Sequence, residues 1–322
     1  MKQMIEKKGV VRILHLGDMF FHGQLDRAKC LKLLLNDLTG PDPALAVPCI
    51  NLIVACGDFT WSTYPGDLLM CQRFFRDLTR ALNLRLESCL FVPGNHDVEW
   101  NRDVYDYYPA SRAYMDRVEP EARALQGETV FIRRDSNYGD RFINFAENFY
   151  EPLTGQTWPT DPARQFHLIN HTWTGVQLLG LNSCSKTDRF FERRALLNQE
   201  AVTEALQAAS DEKAGLRIAA WHHPTHGDNG IDWGEPVTRL IEGGFRLFLH
   251  AHVHSERKED YLRMNDQVYY IGAGGLNRAL IREERKIRVR LYNLIEWNPE
   301  TDEVTVHQRV FNTMRDRWQA WA

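Results

Sequence analysis

Short apolar runs recur along the first hundred positions, each closed by a polar or turn-forming residue, with helix-period stretches between them. "VVRIL", from Val10 to Leu14, reads as a buried strand. "QLDRAKCLKLLLNDLTG" then places Leu25, Ala28, Leu31, Leu35 and Leu38 on one helical face, and Gly40 with Pro41 stops it. "CINLIVACGD" predicts a second buried strand, "DLLMCQRFFRDLTRALNL" a second helix, and "SCLFVPGNHD" a third strand running into a loop. Strands and helices alternating in this way predict a parallel or mixed sheet covered by helices.

From Val98 to about Gln165 the periodicity fades into aromatic, acidic, turn-rich sequence, which predicts an elaborated insertion lying over the sheet edge. Beyond it, "FHLINHTWTGVQLLGLNSC" reads as two strands around Thr174 and Gly175, and "NQEAVTEALQAAS" as a helix. "LRIAAWHHP" is a strand ending in histidines, "PVTRLIEGG" a helix, and "FRLFLHAHVH" another strand ending in histidines. The tail is strand-rich, with "NPETD" as a hairpin turn. Without an internal repeat or linker, residues 1–322 read as one domain with an insertion at about 98–165.

Composition narrows the class. A chain of 322 residues, 43% hydrophobic and 25% charged, has an ordinary globular makeup and room for a substantial core. A net charge of −4 gives no global basic footprint for nucleic acid or an anionic membrane. The six cysteines lie mostly in apolar runs with no C-x-x-C pair, which suits buried thiols in a reducing compartment. The short, interrupted apolar run near the N-terminus is no secretory signal, and no run is long enough to span a bilayer, so a soluble cytoplasmic protein is expected.

Five apolar strands deliver polar residues at their C-terminal ends. They are "RILHLGD" (Asp18), "LIVACGD" (Asp58), "LFVPGNHD" (Asn95, His96, Asp97), "RIAAWHH" (His222, His223) and "FLHAHVH" (His250, His252, His254). In open α/β sheets the crevice outside the carboxyl ends of the strands is where ligands bind. Carboxylates, an asparagine oxygen and imidazoles gathered there would form a mixed oxygen and nitrogen shell suited to divalent Mn, Fe or Zn. Alternate residues of an extended segment point the same way, so His252 and His254 can address neighbouring ions.

The ordered set "GDMFFHG", "CGDFTW", "PGNHDVEW", "AAWHHPTHG" and "LHAHVHS" resembles the calcineurin-like metallophosphoesterase superfamily, whose pattern is D-x-H, G-D, G-N-H-[DE], a histidine after a strand, and G-H-x-H. "LGLNSC" and the "HHP" context resemble its bacterial subgroup of cyclic-nucleotide phosphodiesterases. The resemblance implies an α/β fold, a four-layer α/β/β/α sandwich of two mixed sheets flanked by helices, with the tail supplying the second sheet. It implies two divalent metal ions, Mn foremost and Fe, Zn or Mg as alternatives. By position Asp58 would bridge them, Asn95, His222 and His252 would complete one site, and Asp18 and His254 would belong to the other. His96 would contact the substrate phosphate, steered by Asp97, while a metal-bound hydroxide attacked phosphorus.

Two positions depart from the pattern: Ala251 stands for the glycine before H-x-H, and Phe20 for the histidine of D-x-H. Phenylalanine cannot coordinate an ion, so either His22 turns inward to replace it or the first site is weakened. Substrate stays open among cyclic nucleotides, other small phosphodiesters or monoesters, and nucleic acid. The basic run "RALIREERKIRVR" would meet phosphates or simply form a solvated strand face, and the acidic insertion argues against a nuclease. A degenerate phosphoesterase serving as a binding module is the rival reading, with Phe20 in its favour. Trp61, Trp100, Tyr105 and Tyr107 are candidates to stack on a base.

Overall fold

The computed structural model describes residues 9–21, 24–40, 45, 47, 49–111, 115, 118–210, 213–226, 230–231, 234–253, 255, 257–265, 268–277 and 289–321. Strand β1 (Val11–Leu16), helix α1 (Gln24–Thr39), β2 (Leu52–Cys56), α2 (Pro65–Ala81) and β3 (Cys89–Val92) follow the apolar runs, with Pro65 supplying a preset φ at the start of α2. Residues 98–165 hold a three-stranded antiparallel sheet of β4 (Tyr105–Pro109), β5 (Arg123–Gln126) and β6 (Thr129–Arg133), then an irregular helical run over 135–154. The second half runs β7 (Phe166–His171), β8 (Val176–Leu181), α3 (Gln199–Ser210), β9 (Leu216–Ala220), α4 (Gly234–Glu242), β10 (Phe245–His250), β11 (Leu262–Asn265) and β12 (Val268–Gly272). It closes with β13 (Leu291–Asn298), β14 (Glu303–Asn312) and β15 (Arg317–Ala320).

Two six-stranded mixed sheets result, ordered β15-β14-β13-β1-β2-β3 and β11-β12-β10-β9-β8-β7. Because side chains alternate along a strand, each inner strand feeds two cores. Ile13, Val54 and Leu90 meet Leu178, Ile218 and Leu249 between the sheets. Leu14, Ile53 and Phe91 face the other way onto α1 and α2, with Phe145 and Phe149 in the same cluster. Leu179, Ala219 and Phe248 pack under α3 and α4. The outcome is an α/β/β/α sandwich.

Two expectations are corrected. The tail does not supply the second sheet: β13 pairs antiparallel with β1, from Val11 opposite Trp297 to His15 opposite Asn293, so the tail completes the first sheet. The second sheet is built from residues 166–272. The buried face of α1 is also rotated. It runs through Cys30, Leu34 and Leu38, whereas Ala28 is exposed. Leucines surround this helix, so hydrophobicity alone does not choose a face; the chosen one lets buried Asp37 take a two-pronged bond from Arg309, at 2.7 and 2.9 Å, and a hydroxyl from Tyr292. All six cysteines are free thiols, five buried and Cys49 exposed. Among the described residues no helix is long and apolar enough to cross a membrane. Most of the basic run, residues 278–288, lies outside the described residues, as does the side chain of Leu25.

Two histidines outside the cluster at the strand ends, His15 and His167, are buried as neutral groups. Burial pushes His15 down to about 3 and His167, bonded to the Tyr150 hydroxyl at 3.0 Å, down to about 4. Their neutral forms contribute stability that is complete above the unfolded value near 6.5 and is lost as pH falls below it, because the unfolded chain then binds protons that the folded chain refuses. Urea unfolding between pH 7 and pH 5 is expected to show stability falling with pH by about 1.4 kcal/mol per unit for each group, and His167→Gln should flatten the slope by one such step. An unchanged slope in that variant would refute the assignment.

Candidate metal centre

The parallel strands β1, β2 and β3 end at one edge, and β9 and β10 end beside them. After β1 and β2 the chain continues as two adjacent loops: Asp18 N donates to Gly57 O (3.1 Å) and Met19 N to Asp58 O (2.8 Å). The turns are tight. Asp18, Phe20, Asp58 and His252 all have φ between 44° and 60°, left-handed values that non-glycine side chains disfavour and that persist only where surroundings enforce them. Such conformations collect at functional sites, and here four fall within one cluster.

Two close approaches hold that cluster. A Cβ on Gly94 would stand 2.2 Å from Asp58 Oδ1, so only glycine lets the N-H-D turn pass this carboxylate. A Cβ on Gly17 would stand 2.4 Å from the Cβ of Ala251. The alanine before H-x-H is therefore accommodated by the bare glycine opposite it.

His222 is the hub. Its Nε2 lies 3.0 Å from Asn95 Oδ1, 3.1 Å from His252 Nδ1 and 3.4 Å from Asp58 Oδ1, all within the fully or largely buried edge. Its Nδ1 meets Cys56 O at 2.7 Å. A carbonyl only accepts, so Nδ1 carries a hydrogen, and Nε2 is the nitrogen that would give its lone pair to an ion in exchange for its proton, an imidazole braced from behind. Donor atoms of Asp18, Asp58 and His222 lie within 4.8 Å of one another, and Asp18 Oδ1 accepts from His252 N at 3.3 Å. Asp58 Oδ2 is buried with no hydrogen-bond partner among the described residues. Burial works against a charged His222, yet the Asp58 carboxylate outweighs it and lifts the imidazole to about 9, while Asp58 itself is lowered chiefly by His222 against its own burial. The pocket thus demands positive charge, and its oxygen and nitrogen donors fit a divalent ion.

His223 plays another part. Ser183 Oγ accepts from both His222 N (3.3 Å) and His223 N (3.2 Å), which leaves its hydrogen for His223 Nδ1 at 2.9 Å. His223 Nε2 then carries a proton and is a donor. Nothing but "LNSC" pointed to Ser183 in the sequence.

Asp97 is a correction. Its carboxylate accepts from Asp58 N and Gly94 N, each at 2.8 Å, and from Phe59 N at 3.1 Å, so it ties the two loops together and does not steer the His96 ring. Burial and the neighbouring Asp58 push its carboxyl up to about 8 against the pull of the Gly94 and Phe59 N–H groups and of His222. The group on His96 Nδ1 is Trp61 O, at 3.1 Å, which leaves His96 Nε2 for a ligand. His22 and His254 lie outside the described residues.

The family model for calcineurin-like phosphoesterases matches residues 11–256. The chain belongs to that family. This calcineurin-like phosphoesterase is also similar in fold to "GAP50 the anchor in the inner membrane complex of Plasmodium", at 9% identity over 97% of this chain and 89% of that one, with a TM-score of 0.51. Solved structures of PhoD (10% identity, 98% and 72% covered, TM-score 0.45) and of 5′-nucleotidase from Candida albicans (11%, 94% and 52%, 0.44) are also similar. Comparison with curated proteins gave no match. The phosphoesterase departs from its family pattern at Phe20, and the ring there is buried against Trp61 and edge-on to His96, both at 5.4 Å between centroids. Trp61 in turn stacks on His96 at 4.8 Å. Phe20, Trp61 and His96 therefore form a mutually packed triad, with the phenyl ring edge-on to the imidazole and the indole stacked on it.

Proposed function

We propose that this metal-dependent phosphoesterase hydrolyses a small phosphodiester or monoester, a cyclic nucleotide among them, in the cytoplasm, with manganese as the favoured ion. The observation that carries the reading is the convergence of Asp58, Asn95 and His252 on His222 Nε2 at a shared strand edge. Asn95, Asp58, His222 and His252 would hold one ion, and Asp58, Asp18 and His254 the other, with His22 in place of the ligand missing at Phe20. Divalent ions in that position supply Lewis-acid charge to the phosphoryl group and acidify a water. The chain does the rest. Asp58 and Asp18 balance the ions' charge, and Asn95 keeps its amide hydrogens for a phosphate oxygen. His96, held by Trp61 O, gives a proton from Nε2 to the leaving oxygen. Asp97 sets the loop geometry on which those positions depend. Residues 98–165 act within the same domain, because Phe145 and Phe149 share the core of β2 and β3. A net charge of −4 favours a small substrate over a polynucleotide.

The test compares wild type, His22→Ala and Phe20→His for bound metal by mass spectrometry and for Mn-dependent turnover of bis-p-nitrophenyl phosphate. Wild type is expected to carry two ions, to lose activity on chelation and to regain it with Mn; His22→Ala should lose one ion together with its activity. Inert wild type that gains both metal and rate with Phe20→His would favour the binding module instead, the reading that buried Phe20 supports.

A further inference from the structure

Beside His96 the surface opens into a cavity of about 470 Å³. Trp61 and Tyr64 enter it from the loop after β2, and Trp100 from the loop after Asp97. Glu99, Asn101 and Asn144 provide its polar margin. Of the four aromatic residues singled out in the sequence, only Trp61 and Trp100 line it: Tyr105 is buried in β4 with its hydroxyl on Asp188 at 2.6 Å, and Tyr107 stands exposed on the same strand. Trp100 is fixed by its Nε1–H, which donates to Asn95 O at 2.8 Å, and Trp61 by its stack on His96. No lysine or arginine lines the cavity among the described residues, and Glu99 is its one carboxylate among them. Asn144 Nδ2 (3.4 Å) and Arg102 (3.5 Å) both lie at Glu99 Oε2.

We infer that this cavity receives the nucleoside on the leaving-group side, so that the substrate is a nucleoside ester of a single phosphate rather than an oligonucleotide or a polyphosphate. The inference rests on the phosphoesterase reading and extends it. In hydrolysis a water oxygen bonds to phosphorus and gives up a proton to solvent, the bond from phosphorus to the nucleoside oxygen breaks, and that oxygen keeps the electron pair and takes a proton. His96 is the proton's source and also a wall of the cavity, so whatever hangs on the leaving oxygen enters here. Aromatic faces suit a planar base, because every base has a π-face to stack. The Glu99 carboxylate at the margin suits an exocyclic amine, and with no lysine or arginine among the described lining residues a second phosphate would find no partner.

Tyr64 is the residue to change, since it lines the cavity, is exposed and is no member of the metal cluster. Adenosine binding, followed by quenching of tryptophan fluorescence, is expected to weaken about tenfold in Tyr64→Ala and to hold in Tyr64→Phe. With Mn bound, kcat/KM for adenosine 5′-monophosphate should fall by the same factor while that for ribose 5-phosphate stays constant. Glu99→Gln should narrow the preference for adenosine over inosine esters about tenfold. Equal treatment of adenosine and ribose esters by every variant, or no quenching by adenosine, overturns the inference. Adenosine binding with the expected Tyr64 dependence but no hydrolysis with any divalent ion would leave the cavity's assignment standing and remove the phosphoesterase reading alone.

Discussion

Replacing His222 with alanine is expected to release bound metal and to lower kcat/KM by about a thousandfold or more, because one nitrogen serves as the meeting point of Asp58, Asn95 and His252. The loss should be larger than removal of any single peripheral donor, since the Cys56 carbonyl that fixes the tautomer loses its purpose at the same time. His96→Ala makes the contrast. It should keep its metal and lose about 10²–10⁴ in rate, the usual worth of a positioned acid or base. Metal content by mass spectrometry, steady-state kinetics and a thermal melt on each variant separate the two. A His222→Ala protein with full metal content and near-normal turnover would sink the proposed site.

The largest effect on stability is expected far from the metal. Asp37 and Arg309 are almost wholly buried, and Asp37 on α1 receives two guanidinium bonds from β14 and the Tyr292 hydroxyl from β13. Asp37→Ala strands a guanidinium in the core and should cost about 3–5 kcal/mol in urea unfolding. Asp37→Leu combined with Arg309→Met should recover most of that, because removing both charges also removes their desolvation cost. A single-mutant loss below about 1 kcal/mol would mean that the pair behaves like an exposed one.

How much of this was legible in the sequence follows from what each signal encodes. Polar residues at the ends of apolar strands have no place in a core, so Asp18, Asp58, Asn95, His222 and His252 stood out, and the structure brings all five together. Single-chain periodicity could not assign β13 to the first sheet, because pairing across about 280 residues leaves no local trace. Nor could it choose the face of α1, where the deciding partners, Arg309 and Tyr292, are equally remote. Asp97 beside His96 in sequence suggested a carboxylate and imidazole pair; the turn sends the two side chains apart, and backbone amides capture the acid. The left-handed residues are Asp18, Phe20, Asp58 and His252 themselves; glycines stand before Asp18 and Asp58, but nothing of the kind announces Phe20 or His252.

The place of β13 has a consequence in time. Strand β1 lies between β2 and β13, so the strand that presents Asp18 gains its second neighbour only when residues 291–298 arrive. Chains are made from the N-terminus, and closing so long a loop is slow. During synthesis, therefore, Asp18, Asp58, Asn95, His222 and His252 have all left the ribosome while β1 is still an open edge. The newborn protein passes through an interval in which these candidate donors exist but the first sheet beneath them is incomplete, and the hairpin that ends that interval lies beyond residue 256, outside the stretch matched by the family.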